Sequence, residues 1–126
     1  MLNKKNKLKL SILWLPVFAW MGVIFHFSSI PGKDIPLLFP FQDVVFHIAI
    51  YAILGLLFTR SAKFTFLNLT PLKLLLFSLF FGTLYGIIDE FHQSFVPNRY
   101  PCGFDVFTDS SGTLLGSLIQ LFLQRF

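Results

Sequence analysis

Carboxyl, imidazole and guanidinium groups capable of chemistry recur at the ends of apolar segments in this 126-residue chain. The residues that stand out are Asp43, His47, Asp89, Glu90, Gln93, Arg99, Asp105 and Asp109. Carboxylate oxygens ligate hard cations such as Mg²⁺, imidazole transfers protons near neutral pH, and guanidinium groups bind phosphate through a planar fork. The same groups can recognise a ligand by charge and hydrogen bonds, so the pattern admits either a binding site or a catalytic site.

A catalytic interpretation gives these residues roles in a membrane-embedded, metal-dependent enzyme that acts on a lipid-linked phosphate. Asp89, Glu90 and Asp109 would hold Mg²⁺, and Arg99 would clamp a phosphoryl group, while His47 or His92 would move protons. The residues assigned to catalysis are Asp89, Glu90, His47 and Arg99. No recognisable phosphatase or transferase motif accompanies them, so the sequence leaves open whether the protein is an enzyme.

A binding interpretation treats the same residues as an acidic pocket that recognises a lipid, a cell-wall precursor or a glycopeptide. Ionisable groups near membrane depth are costly, so each is by default a functional hypothesis. All eight residues named first would then contact the ligand, with Arg99 holding its loop or contacting a phosphate. A third interpretation, a structural helper or transporter fragment, ranks last because four spans are few and no inverted repeat is visible.

The elements that must position these residues are membrane spans. The chain is 55% hydrophobic and only 13% charged, with a mean hydropathy of +0.72, far more apolar than a typical soluble domain. Four apolar stretches lie at about residues 8–28, 43–60, 71–88 and 103–124, each near the ~20 residues that cross the hydrocarbon. The sequence therefore predicts one all-α domain over residues 1–126, a polytopic bundle of four transmembrane helices.

Helical spacing places the polar residues on shared faces, because positions three or four apart stack on one side. The predicted stripes are Asp43, His47, Tyr51 and Gly55; Gly82, Gly86, Asp89, Glu90 and Gln93; and Asp105, Asp109, Gly112 and Gly116. Each of the last two stripes holds a glycine pair with the small-xxx-small spacing of close membrane helices. Close approach of the third and fourth helices would gather four carboxylates, which need protons, cations or a metal to coexist. Asp43 and Asp105 could instead cap their helices.

The basic residues predict the orientation of the spans, since cytoplasmic loops carry an excess of Lys and Arg. Eight of the ten fall on one side: Lys4, Lys5, Lys7, Lys9, Arg60, Lys63, Lys73 and Arg125. We therefore expect a multi-pass protein of the cytoplasmic membrane with both termini in the cytoplasm and all six acidic residues on the other side. The basic residues form no patch with interleaved aromatics, which argues against a nucleic-acid partner. Membrane lipids are the expected partners.

Three segments resemble the VanZ-like family over about residues 14–118. They are DEFHQSFVPNR at 89–99, followed by Asp105, Gly112 and Gly116; WMGVIFHFSSIPG at 20–32; and Asp43 with His47 and Tyr51. Two positions depart from the family pattern: Val44 stands where a Lys is common, which weakens any model that needs a cation there, and Asp109 where an Asn is common, which adds a negative charge. The resemblance implies a small multi-pass membrane protein whose name-giving relative is associated with teicoplanin resistance, and it supplies no reaction.

Overall fold

The computed structural model describes residues 3–125, which form four long α-helices and no strand. The helices are α1 (Lys4–Ser28), α2 (Gln42–Thr65), α3 (Pro71–Gln93) and α4 (Gly103–Leu123). A single 3₁₀ turn, Gly32–Asp34, lies in the loop between α1 and α2. All four helices are long and apolar enough to cross a membrane. The predicted all-α architecture with four membrane-spanning helices is confirmed.

The helices extend beyond the predicted apolar spans where polar residues continue the helical path. The Asn3 side chain accepts a hydrogen bond from the Lys5 amide and caps α1, so the helix takes in the lysines that follow. Thr70 accepts a hydrogen bond from the Lys73 amide at the start of α3, with Pro71 in the first turn. At its other end α3 continues to Gln93, since its last polar residues face the protein interior.

Successive helices run in opposite directions. Trp14 Nε1 donates to Thr65 Oγ1 and Trp20 Nε1 donates to the Ile50 carbonyl, both at 2.8 Å, so residue numbers fall along α2 as they rise along α1. Both ends of the described chain consequently lie at one end of the bundle. We call it the basic end, formed by residues 3–9, 60–73 and 123–125. The opposite, acidic end is formed by residues 28–43 and 89–105.

Small residues let α4 pack closely into the bundle. A Cβ at Gly82 or Gly86 would overlap or crowd side chains of α4, so this pair joins α3 to α4 as predicted. A Cβ at Gly112 or Gly116 would instead overlap backbone carbonyls of α2. The second glycine pair therefore serves α2, and α4 is held between two neighbours by one small-residue face for each.

A cluster of hydroxyl groups, called here the hydroxyl cluster, joins the three inner helices on the basic side of the bundle centre. It consists of Thr59, Ser78 and Ser117, all fully buried. Thr59 Oγ1 lies 2.8 Å from Ser78 Oγ and 2.9 Å from Ser117 Oγ. Each hydroxyl has a partner on another helix, so the polar groups satisfy one another without charge.

The first helix is the outermost, and it is attached to the bundle by polar side chains. Ser61 Oγ donates to the Leu13 carbonyl at 2.8 Å, in the turn that Pro16 disrupts. Tyr85 Oη donates to the Met21 carbonyl at 2.7 Å. Beyond these anchors, α1 and α2 enclose a space at the acidic end that contains the candidate site.

Candidate functional site at the acidic end

Two cavities lie side by side at the acidic end. The apolar cavity, of about 240 Å³, is lined mainly by apolar residues of α1, α2 and their connecting loop, including Ile24, Phe27, Leu38, Phe46 and Ile50. The polar cavity, of about 340 Å³, lies under the loop that joins α3 to α4, and its lining includes Asn98, Arg99, Tyr100 and Asp105. One face of the site is thus suited to hydrocarbon and the other to a polar group.

The two cavities share a wall that is polar apart from Ile35. Gln42, Asp43, His47, Gln93 and Arg99 line both of them. Four of these five come from the predicted binding set, and they come from α2, α3 and the α3–α4 loop. The structure thus brings them to one boundary between an apolar and a polar space.

His47 is paired with Asp109 across the interface of α2 and α4. The Nδ1 atom of His47 lies 2.6 Å from Asp109 Oδ1, and the Asp109 side chain has no exposed surface. The second carboxylate oxygen, Oδ2, is buried without a hydrogen-bond partner in the part of the chain that the structure describes. Tyr51 Oη, one turn along α2 from His47, is also buried and unpartnered there. This group of His47, Tyr51 and Asp109 is called the charged cluster.

The four predicted carboxylates do not form one compact group. The carboxyl groups of Glu90 and Asp105 lie next to each other between α3 and α4, whereas Asp89 faces Ser28 of α1. Asp109 is turned to His47. Successive positions on a helix point about 100° apart, so Asp89 and Glu90 reach different neighbours.

The predicted Mg²⁺ site is not formed by these side chains. Among residues 3–125, no three His, Cys, Asp or Glu side chains converge closely enough to hold a metal ion. Asp89, Glu90 and Asp109, the predicted ligands, are separated by the divergent directions just described. The His47 ring lies against Asp109 instead.

Arg99 holds the two loops of the acidic end together. Its Nε donates to the Ile30 carbonyl at 2.9 Å and its Nη2 donates to the Phe27 carbonyl at 2.8 Å. The Gly32 amide donates to the Pro97 carbonyl at 3.0 Å, and a Cβ at Gly32 would overlap the Asn98 carbonyl. A cation at these carbonyls satisfies the C-terminal end of α1. The binding interpretation gave Arg99 two alternative roles, holding its loop or contacting a phosphate. These hydrogen bonds match the first role.

The remaining candidates occupy the periphery of the site. Asp43 and Asp105 lie in the first turns of α2 and α4, after the cap positions Phe41 and Cys102, and neither cap makes a side-chain hydrogen bond. The carboxylates therefore complement the helix dipoles without occupying the caps. His92 Nε2 lies 2.9 Å from Ser29 Oγ, and its ring stacks on Phe25, which ties the end of α3 to α1.

Reasoning from the sequence missed several polar residues that line the cavities, among them Ser28 and Gln42. Ser28, 4% exposed, lines the apolar cavity beside Asp89. Gln42 accepts a hydrogen bond from the Leu38 amide and donates to the Pro36 carbonyl, which shapes the loop over the cavity. A small hydroxyl residue at the last position of an apolar span was the available signal for Ser28; nothing in the local pattern distinguishes Gln42.

Comparison with known proteins decides the family. The VanZ/LLP1 family model matches residues 13–124. The chain belongs to the VanZ/LLP1 family. Searches of the curated proteins and of the solved structures each returned no match. It is a VanZ-like membrane protein, and the segments that carry the family resemblance converge on the boundary between the two cavities.

Proposed function

We propose that this VanZ-like protein binds an amphiphile of the cell envelope in the paired cavities at its acidic end. The ligand would be a lipid, or a cell-wall precursor or glycopeptide that carries an apolar chain; the name-giving relative of the family is associated with teicoplanin resistance. The observation that carries the proposal is the shared wall of His47, Gln93 and Arg99 between an apolar and a polar cavity. An amphiphile has its own boundary between tail and headgroup, and that boundary would lie at this wall.

The apolar cavity supports binding of a tail. Its rim carries Leu38, Phe39 and Phe46, which are exposed in the isolated protein. In a bilayer such side chains contact lipid, so an apolar chain could enter from the side without crossing a polar barrier. Contiguous apolar surface beside a cavity is typical of a ligand entry site.

The polar cavity supports binding of a headgroup by hydrogen bonds. Gln93 is buried, yet it lines both cavities. Its amide can donate and accept at the same boundary as the His47 ring. Buried polar groups that face a cavity are costly unless a ligand or water pairs with them, which favours a site that is filled in use.

The test of this proposal is retention of lipid by purified protein. Ile50 lines the apolar cavity on α2, and Ile50→Trp would fill part of that cavity. Ile53 lies on the same helix but outside both cavities, and it is exposed, so Ile53→Trp is the matched control. Native mass spectrometry of protein extracted in mild detergent should show an amphiphile bound to the wild type and to Ile53→Trp, and at least about tenfold less on Ile50→Trp.

Equal retention by the two tryptophan variants would contradict the proposal, because it would mean that lipid binds only to the outer surface. Failure of the wild type to retain any amphiphile, in detergent and in nanodiscs supplied with total membrane lipid, would also contradict it. Identification of the retained molecule by its fragment masses would separate an ordinary lipid from a cell-wall precursor.

We propose further that the acidic end faces away from the cytoplasm, since eight of the ten basic residues lie towards the other end. Cys102 is exposed at the acidic end and is the only cysteine of the chain. A membrane-impermeant maleimide should label Cys102 in intact cells, with Cys102→Ser as the control for background. Labelling restricted to inverted vesicles would reverse the orientation.

A further inference from the structure

The charged cluster presents one reactive atom to the proposed ligand. His47 commits its Nδ1 atom to Asp109, and the ring also lines both cavities. With the carboxylate ionised and the imidazole neutral, Nδ1 carries the hydrogen and Nε2 carries the lone pair. No hydrogen bond to Nε2 is made within residues 3–125. A histidine oriented by a buried carboxylate, with its second nitrogen free at a cavity, has the arrangement of a general base.

Two hydrogen-bond donors lie at the same boundary as this base. The Gln93 side chain and the Arg99 guanidinium line both cavities with His47. Arg99 donates from Nε to the Ile30 carbonyl and from Nη2 to the Phe27 carbonyl, which fixes the guanidinium group. Its Nη1 atom makes no hydrogen bond within residues 3–125. Fixed donors of this kind stabilise negative charge that develops on an oxygen during a reaction.

The charges around the site select the class of substrate. Asp34, Asp43 and Asp89 line the apolar cavity, and Asp43 and Asp105 line the polar one, whereas Arg99 is the single Lys or Arg side chain on either wall. A phosphate group would add negative charge among these carboxylates, which is unfavourable at short range. A carboxylic ester is uncharged, and in a lipid it lies where the acyl chain joins the headgroup.

From this geometry we infer that the protein hydrolyses a carboxylic ester of an amphiphile bound in the two cavities, with His47 as the base that activates water. This rests on the proposed function, because the ester must be held at the boundary between the cavities. Nε2 takes a proton from water as its oxygen attacks the ester carbonyl carbon. Gln93 and Arg99 stabilise the tetrahedral oxyanion. The bond to the alcohol oxygen then breaks, and Nε2 returns the proton to that oxygen, leaving a carboxylic acid and an alcohol.

Asp109 has the part of a positioning residue in this step, since it touches the base and not the substrate. It fixes the imidazole tautomer and stabilises the imidazolium that forms after proton transfer. Gly86 leaves room for the Asp109 side chain, because a Cβ at position 86 would lie 2.9 Å from Asp109 Oδ2. The unpartnered Oδ2 retains the capacity to accept a further hydrogen bond.

The experiment uses the full chain reconstituted in vesicles of a dialkyl ether lipid that contain 1-oleoylglycerol as the ester probe. Reactions run in ¹⁸O-labelled water, and released oleate is measured by mass spectrometry. We expect oleate with one ¹⁸O in its carboxyl group, and a fall in rate of at least ~100-fold in His47→Gln, the usual contribution of a general base. Ser110→Ala is the matched control: Ser110 is bonded to Thr83 between α3 and α4 and lines neither cavity, so its rate should equal that of the wild type.

Binding is measured separately with the 1-O-oleyl ether of glycerol, which cannot be hydrolysed. Binding of the ether by the wild type without release of oleate would overturn the inference and leave the proposed function standing. Failure of the ether, of total membrane lipid and of the ester to bind would overturn both. An unchanged rate in His47→Gln would also overturn the inference.

The role of Asp109 is read from the imidazole itself. In protein labelled with ¹⁵N-histidine, the Nδ1 and Nε2 shifts of His47 should report a hydrogen on Nδ1 in the wild type, and a changed tautomer ratio in Asp109→Asn. Asp109→Asn should slow hydrolysis while ether binding persists, and Asp109→Glu should recover part of the rate. A wild-type rate in Asp109→Asn with an altered tautomer would overturn the positioning role.

Discussion

The hydroxyl cluster and the charged cluster are both buried in this bundle, and they differ in whether every polar atom has a hydrogen-bond partner. The hydroxyl cluster of Thr59, Ser78 and Ser117 is uncharged, and each member has a partner. The charged cluster keeps Asp109 Oδ2 and Tyr51 Oη without partners among the described residues. A membrane interior penalises both kinds of group, but only satisfied ones are compatible with a purely structural role.

The difference separates helix attachment from function. The hydroxyl cluster connects α2, α3 and α4, and none of its three residues lines either cavity. The charged cluster adjoins the cavities through His47. Variants in the two clusters should therefore change different properties, and three predictions test this contrast in order of expected effect on stability.

The largest loss should follow removal of one partner of the charged pair. His47→Ala leaves the Asp109 carboxylate as an uncompensated buried charge, which typically costs about 3–5 kcal/mol of unfolding free energy. The double variant His47→Ala/Asp109→Ala should lose less than the sum of the two single variants, by roughly 1–3 kcal/mol, since contacting residues are coupled. Reversible unfolding of the purified protein by dodecyl sulfate in mixed micelles measures each value. Additive losses would show that the pair contributes no coupling energy.

A smaller loss should follow crowding of the interface between α2 and α4. At Gly116 a Cβ would overlap the Ala52 carbonyl, so the backbones must separate in Gly116→Ala. Overpacking of this kind costs typically ~1–3 kcal/mol. Gly22→Ala is the control, because no atom lies within 4 Å of a Cβ built there. A thermal denaturation series should rank wild type and Gly22→Ala together, above Gly116→Ala, and equal midpoints for all three would refute the packing argument.

The smallest loss should follow a change in the hydroxyl cluster. Thr59→Val keeps the shape of the side chain and removes its hydrogen bonds, and interhelical hydrogen bonds in membranes average only about 0.6 kcal/mol. Ser78 and Ser117 can turn to carbonyls of their own helices, which limits the cost. Lipid retention and ester hydrolysis should remain at wild-type levels. Loss of either activity in a stably folded Thr59→Val protein would remove the functional distinction between the clusters.

The fold could be predicted from the sequence because membrane helices are specified by local composition. Four apolar stretches of sufficient length predicted the number of helices, and three- and four-residue spacing predicted shared faces. Of the residues on those faces, His47, Tyr51, Gly82, Gly86 and Asp109 are buried, whereas Asp43 at the end of its stripe is exposed. The third apolar span was ended before Asp89 because hydropathy counts an acid against the membrane, whereas helical spacing already continued the third stripe to Gln93, where α3 ends.

The pairings within the site could not be predicted, because they depend on helix rotation and partner choice. His47 and Asp109 are 62 residues apart, and the sequence offered four acids and several cations with no rule for pairing them. The choice of α2 as the partner of Gly112 and Gly116 was equally hidden, since small-residue spacing identifies a contact face without naming its neighbour. The apolar cavity left no pattern that distinguishes it from an ordinary lipid-facing surface.

The hydrogen bonds from Arg99 to the end of α1 and the loop after it bear on the order in which the protein assembles in the membrane. Synthesis delivers α1 and α2 well before Arg99 emerges, so the carbonyls of Phe27 and Ile30 lack this cation while the first hairpin enters the bilayer. The end of α1 and the loop that follows it gain their hydrogen bonds to Arg99 only when the second hairpin arrives and Arg99 reaches back across 69 and 72 residues of sequence. A chain truncated after α2 would retain two insertable helices but would lack Arg99 and could not close the proposed binding site, so ligand retention would also measure completed assembly.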